Sequence, residues 1–469
     1  MKRSTLRLLA GISVVLALGC AAMRLEPARR PHYGGTLRVE MQAAVTSLDP
    51  AAPAANAEAQ AAQDKLMALV FDTLTRLDDD GRPQPRLAVS WEHDAAMQHW
   101  EFHLRRNVKF QDGTPVSPES AAVALAAANP DWHVTFSADG VVIETKSPAP
   151  DVPERLAGSR NAIARRGQDG SLSGTGAFRV SAWEPGRRAV FAAYEDNWEG
   201  RPFVDTIEVQ MGRAPHEQMI DLDLGKADLV EIPPEQARRA AERGTRMAAS
   251  APSELLALVF LKGRPAAEDA RAREAISHAI DRGALWNFLL QKQGEPAGGL
   301  LPQWSSGTAF LFSTEPDAGL ARQLWSQIPS ARPVVVGYDA SDALERAVAE
   351  RIAVNAKEAG ITISAQAGAA NADARLERLR MVSPEPRAAL AGLLAALVPA
   401  TGIEAPPLPD STAPEDLYAR ERFAVDSYRV VPLAHLPEVW GLSTRVKDWS
   451  APRAGGWRLA DVWLEGEAR

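Results

Sequence analysis

Three stretches predict an α/β fold. Within residues 333 to 364, "PVVVGY", "ALERAVAERIAVNAKEAG" and "ITIS" read as strand, helix and strand. The helix carries Leu344, Val348 and Ile352 at i, i+4 and i+8, and Gly360 suits the left-handed C′ position that closes it. A strand, helix and strand at this spacing make a right-handed βαβ unit with parallel strands. "HEQMIDLDLGKADLVEI" repeats the rhythm, with a helix, a stop at Gly225 and a buried strand. "FRVSAWEPG" and "RAVFAAYED" then read as a hairpin around Pro185-Gly186, so antiparallel strands join the parallel ones.

The other elements follow in chain order. Lys2, Arg3 and Arg7 precede an uncharged apolar run from Leu8 to Leu18, and Gly19 stands before Cys20, the single cysteine of 469 residues. That layout predicts a secretory signal over residues 1–19. The run is shorter than the roughly 20 apolar residues of a membrane-spanning helix. "LALGC" resembles the bacterial lipobox, which implies lipid on Cys20 and a tether over 20–32; a cut a few residues later, discarding Cys20, is the alternative. "GGTLRVEM" predicts a strand, "TSLDP" a turn, and "AEAQAAQDKLMALVFDTLTRL" a helix with Leu66, Leu69, Val70 and Thr73 on one face. Asp80-Gly81 in "DDDGRPQP" is a hairpin signal. "HWEFHLR" and "VKFQDG" alternate as two adjacent antiparallel strands would. Further on, "ELLALVFLKG" predicts a strand and "DARAREAISHAIDRGALWNFLL" a helix. Residues 381–409 carry no strand signal, and "YRVVPLAHLPEVWGL" and "WRLADVW" are again strand-like.

Several function classes are excluded. A formal charge of -8 without a basic block does not suit nucleic acid, which needs clustered Lys and Arg. Catalytic signatures are missing: "GSLSG" has Leu where a nucleophile elbow needs Ser, and no zinc-protease, Walker or dinucleotide pattern occurs. "GTG" at 174–176 is too short for such a fingerprint and precedes a strand. His99 and His103 lie on an alternating strand and His93 in a turn, so no convergent metal set is expected. No cofactor is expected either.

Four longer segments together resemble the family 5 extracellular solute-binding proteins, the peptide- and nickel-binding receptors of ABC importers. They are "YGGTLRVEMQAAVTSLDP", "VFDTLTRLDDDGRPQPRLAVSWEHDAAMQHWEFHLRRNVKFQDGTPVSPESAAVAL", "GTGAFRVSAWEPGRRAVFAAYEDNWEGRPFVDTIEVQ" and "RAREAISHAIDRGAL…GEPAGGLLP". The resemblance implies a two-lobed periplasmic-binding-protein fold of type II, in its large three-domain form. Lobe one would comprise 33–49, 174–262 and 438–469, with 50–173 as the extra domain of this family. Lobe two would be 263–437, and two crossovers, near Phe260 to Arg264 and Ala434 to Trp440, would form the hinge. It further implies a monomer at the cell envelope or in the periplasm that captures a small solute between its lobes. The partners implied are ABC permease subunits and, through Cys20, the membrane.

The candidate ligand contacts are few. Thr46, Ser47 and Asp49 sit in a strand-to-helix turn that resembles a cleft-lining one, although Asp49 equally suits a helix cap. Trp304 follows a proline in a loop expected near the cleft entrance, and Tyr338 ends a strand at the edge where α/β proteins place ligands. Peptide-binding members carry an aromatic-rich segment late in lobe two whose acid pairs with the peptide amino terminus. Here 381–409 has no aromatic residue and only Glu385 and Glu404 as acids, so that anchor is unsupported. A lipoprotein sensor or scaffold that keeps the fold without a transport substrate is the alternative.

Overall fold

The computed structural model describes residues 30–466 apart from 55–56, 330–331, 369, 382 and 405–412. The leader, Cys20 and most of the tether lie outside the described residues. In chain order, β1 (Thr36–Glu40) and α1 (Ala57–Val70) precede a small sheet. Its strands are β2 (Ala88–His93), β3 (His99–Leu104), β4 (His133–Phe136) and β5 (Gly140–Glu144), with α2 (Pro118–Ala128) between β3 and β4. Then come β6 (Phe178–Glu184), β7 (Arg188–Ala193), β8 (Thr206–Gln210), α3 (Pro215–Asp223), β9 (Leu229–Ile232), α4 (Pro234–Glu242) and the long β10 (Arg246–Phe260). Beyond it lie α5 (Ala270–Ala279), β11 (Val334–Tyr338), α6 (Ala343–Glu358), β12 (Ile363–Ala367), β13 (Ala374–Arg380), α7 (Pro386–Thr401), α8 (Pro414–Val425) and a second long strand, β14 (Val430–Leu442).

One mixed sheet runs through both halves in the order β6-β7-β8-β1-β9-β14-β10-β13-β11-β12. Its outer parts hold separate cores. Leu37, Val39, Phe178, Phe191 and Ile207 pack one of them. Phe260, Ile276, Val334, Ile352 and Leu376 pack the other. β14 belongs to both, with Leu433 and Leu436 in the second core and Trp440 and Leu442 in the first. Between them the β10–β14 ladder shifts register, and Pro252 faces Pro437. Neither proline has an N–H to donate, so the ladder cannot close at this point. The molecule is thus two lobes joined by two strands that are unzipped at their shared midpoint.

The expected elements mostly form. β11 and β12 are parallel with α6 between them, and Gly360 has a φ of 80° beyond the helix end. β6 and β7 form the hairpin around Gly186. The helix expected to run to Leu77 stops at Val70, and Thr75–Leu77 pairs instead with Pro83–Pro85. "VKFQDG" does not pair with β3, whose neighbours are β2 and β5. Val108 and Phe110 are buried in the core of the extra domain, so the alternation was real. The segment folds on its own turn, bridging Lys109 to Pro115. Among the described residues no helix is long and apolar enough to cross a membrane.

"GTG" has a structural use. The N–H of Gly176 donates to the Val70 carbonyl, 2.9 Å away, as does Nε2 of Gln111 at 3.2 Å. The last carbonyls of a helix lack intrahelical partners, and here loop donors press against one of them.

Candidate functional site

The lobes face each other across two cavities that flank a bridge of charges. One, of about 490 Å³, is walled by α1, the start of α4, the loop Asp339–Ala343, and Arg378 and Arg380 of β13. The other, of about 540 Å³, lies between α1, the extra domain, residues 380, 381, 383, 384 and 388, and the C-terminal segment at 452–458. Lys65 and Arg380 line both.

The bridge alternates in sign from lobe one to lobe two. Lys65 Nζ lies 3.0 Å from Glu231 Oε1 and 3.1 Å from Glu438 Oε1. Arg380 pairs with Glu438 and, at 3.6 Å, with Glu254. Arg378 reaches Glu254 at 3.0 Å and Asp342 at 2.8 Å. Lys65 also stands 4.5 Å from the centre of the Trp440 ring, a cation–π contact in a largely desolvated setting. Burial alone would raise the Glu438 carboxyl, but the charges of Lys65 and Arg380 and the Gly456 N–H bring it down to about 2. Burial likewise opposes the charge on Arg378 and Arg380, and their carboxylate partners outweigh it and hold both guanidiniums above their ordinary range.

Other carboxyls of the first cavity behave in the opposite way. Burial, together with the nearby Asp342 and Asp339, pushes Glu345 up to about 7 against a hydrogen bond from the Asp339 N–H. Glu235 is raised mainly by burial, and Glu58 by burial and then by Glu231 and Glu254.

The residues picked from sequence lie around this site. Ser47 Oγ accepts from the Asp49 N–H at 3.1 Å, while Asp49 accepts from the Ala51 N–H at 3.0 Å and pairs with Arg166 at 2.5 Å. Asp49 thus closes a turn, Thr46 is exposed beside it, and none of the three lines either cavity. The Trp304 indole N–H donates to the Pro252 carbonyl at 2.6 Å, and Arg453 stacks on the ring at 5.0 Å. Trp304 therefore braces the crossover from lobe two. Tyr338 packs on the lobe-two core, and the loop that follows it lines the first cavity. Glu385 accepts from the N–H groups of Arg387 and Ala388 as the N-cap of α7.

Sequence reasoning passed over the bridge itself. Its signal was a charge set inside an otherwise apolar strand: Glu231 in "LVEI", Glu254 before "LLALVF", Glu438 in "HLPEVW". A lone charge there must find a partner.

Beside the second cavity a turn of the extra domain meets lobe two. A Cβ placed on Gly81, whose φ is 80°, would lie 2.6 Å from the backbone N of Glu385 in lobe two. Arg453 and Arg458 hold the same turn through Asp80 and Asp79, each at 2.9 Å. Gly81→Val is expected to prop the lobes apart with little loss of fold. Small-angle scattering should show a more extended particle, with a melting temperature lowered only by the backbone strain of a Val at positive φ. An unaltered scattering profile would mean the contact does not limit closure.

The family model for bacterial extracellular solute-binding proteins, family 5 (Middle) matches residues 82–400. The nickel-binding protein NikA of Staphylococcus aureus is 22% identical over 241 residues, covering 48% of this chain and 49% of that protein. The probable D,D-dipeptide-binding periplasmic protein DdpA of Escherichia coli is 23% identical over 291 residues, 55% of each. The chain thus spans about half the length of these curated relatives. Among solved structures, NikA of Brucella suis in complex with Fe(III)-EDTA superposes with a TM-score of 0.78 at 18% identity, covering 92% of this chain and 100% of that one. AppA of Bacillus subtilis in complex with a nonapeptide gives 0.72 at 13%, covering 93% and 100%. Such identities speak for the fold, the two-lobed one found here. By the reach of the family match and the shared architecture, the chain belongs to the bacterial extracellular solute-binding proteins, family 5.

Proposed function

We propose that this protein captures a small solute between its lobes outside the cytoplasm and delivers it to an ABC importer, held at the membrane by lipid on Cys20. The carrying observation is a cavity of about 490 Å³ walled by side chains from both lobes, beside a crossover that two opposed prolines leave unzipped. That volume falls in the range of small-molecule sites. Closure would be a hinge motion about Pro252 and Pro437, biased by a ligand that touches both walls. The domain division read from sequence is part of this proposal, with the first crossover at Pro252 instead of near Phe260 to Arg264, since Leu256, Leu258 and Phe260 pack in the lobe-two core. So does the delivery step, which rests on family membership.

A second reading, a lipoprotein sensor or scaffold without a transport substrate, is favoured by one observation. Of the two acids of the late lobe-two segment, Glu385 is engaged as a helix cap. Thermal shift and intrinsic fluorescence with a peptide and metabolite panel separate the two. Trp440 borders the cavity, so a change in Trp emission on ligand addition is the expected fluorescence signal. A receptor gains stability of RT ln(1 + [L]/Kd), about 2.7 kcal/mol at a hundredfold excess over Kd. A scaffold responds to nothing in the panel.

A further inference from the structure

We infer that the solute enclosed in the first cavity carries a positive charge, a primary ammonium or a guanidinium. The inference rests on the proposal that this cavity is the binding site.

The alternating bridge uses every base that lines the cavity, Lys65, Arg378 and Arg380, and sets them among four acids. Four more acids line it: Glu58, Glu235, Asp339 and Glu345. Asp339 accepts from the N–H and hydroxyl of Ser341, at 2.8 and 2.7 Å, and so serves its own turn. Glu345 accepts from the Asp339 N–H through Oε2 at 2.8 Å. Glu235 has its Oε2 buried with no hydrogen-bond partner.

A carboxylate withdrawn from water without a counter-charge is costly, and its site either protonates it or awaits a cation. Burial does raise Glu235 and Glu345, as described above; Glu58, more open to solvent, stands at the cavity rim. Geometry says more than the sum of charge. Glu58 and Glu235 belong to lobe one, on α1 and α4, whereas Glu345 belongs to α6 in lobe two. A cation held among them interacts with both walls only when the lobes are together. It would therefore bind the closed form more tightly, the condition for a ligand to drive closure. An anion placed there would meet four carboxyls and bases already paired.

The test is a charge series on one scaffold, measured by calorimetry and thermal shift with the full chain. Ala-Ala-amide is a cation, N-acetyl-Ala-Ala-amide is neutral and N-acetyl-Ala-Ala is an anion; agmatine and spermidine extend the cationic arm. The cationic probes should raise the melting temperature and the other two should not. Glu235→Gln and Glu58→Gln together should weaken cation binding at least tenfold while circular dichroism and the ligand-free melting temperature stay unchanged. The inference is overturned if the neutral or anionic probe binds as well as the cation, or if the double variant binds cations normally; solute binding then stands. Silence across this series and a broad metabolite panel overturns solute binding itself.

Discussion

Glu438→Ala is expected to cost about 3 kcal/mol of stability, because it takes the shared carboxylate from buried Lys65 and half-buried Arg380 at the crossover. Lys65 has only 6% of its side chain exposed and keeps Glu231, while Arg380 keeps a 3.6 Å contact with Glu254. The Gly456 N–H loses its acceptor as well. Urea unfolding should show a lower midpoint at unchanged slope. A loss below about 1 kcal/mol would mean the bridge is not formed in solution. The same group sets an acid limit. With its carboxyl at about 2, below the ordinary 4.5, Glu438 contributes stability that is present above pH 4.5 and lost as the pH falls toward 2. The span corresponds to about 3 kcal/mol. The variant should therefore flatten the stability curve between those pH values. Lys65→Met together with Glu438→Leu should recover only part of the loss, since it removes the buried charge of Lys65 but leaves Glu231 without its cation.

Gly174→Ala is expected to destabilise by about 3 kcal/mol or more, although the change adds one methyl group. A Cβ at this position would lie 2.0 Å from the Val70 carbonyl oxygen and 2.6 Å from a ring carbon of Phe71. The oxygen belongs to the end of α1, which also carries Lys65 of the bridge. The chain cannot yield at Gly174 without breaking the Gly176 and Gln111 hydrogen bonds to the same carbonyl. Gly170→Ala is the control, at a turn with nothing within 4 Å and a φ of 82°; it should cost about 1 kcal/mol. Thermal melting distinguishes the two, and equal losses would show that contact with α1 is not the cause.

What sequence revealed of this molecule was whatever is decided within a dozen residues. The α6 stripe and its Gly360 stop, the Gly186 hairpin and the Gly225 break are local matters of period and backbone freedom, and each is found where expected. β13 was not legible. "ARLERLR" buries Ala374, Leu376 and Leu379, a broken alternation, because Arg378 and Arg380 turn into the cleft. "VKFQDG" had the period of a strand, but both sides of its expected partner β3 are taken by β2 and β5. The site was hidden for a related reason. Its charges are spread from Lys65 to Glu438 and meet only once the sheet is assembled. Thr46, Ser47 and Asp49 were visible as a turn motif, and a turn motif describes its own hydrogen bonds before anything else.

The shared sheet has a bearing on how the molecule is made. β9 is bordered by β1 on one side and by β14 on the other, and β14 also borders β10. Two central edges therefore stay bare until residue 442 has left the ribosome, more than 200 residues after β9 was synthesised. Unpaired edges of this kind invite wrong partners. A nascent chain of this protein calls for a holdase on its first two-thirds, and its final closure should be slow and all-or-none.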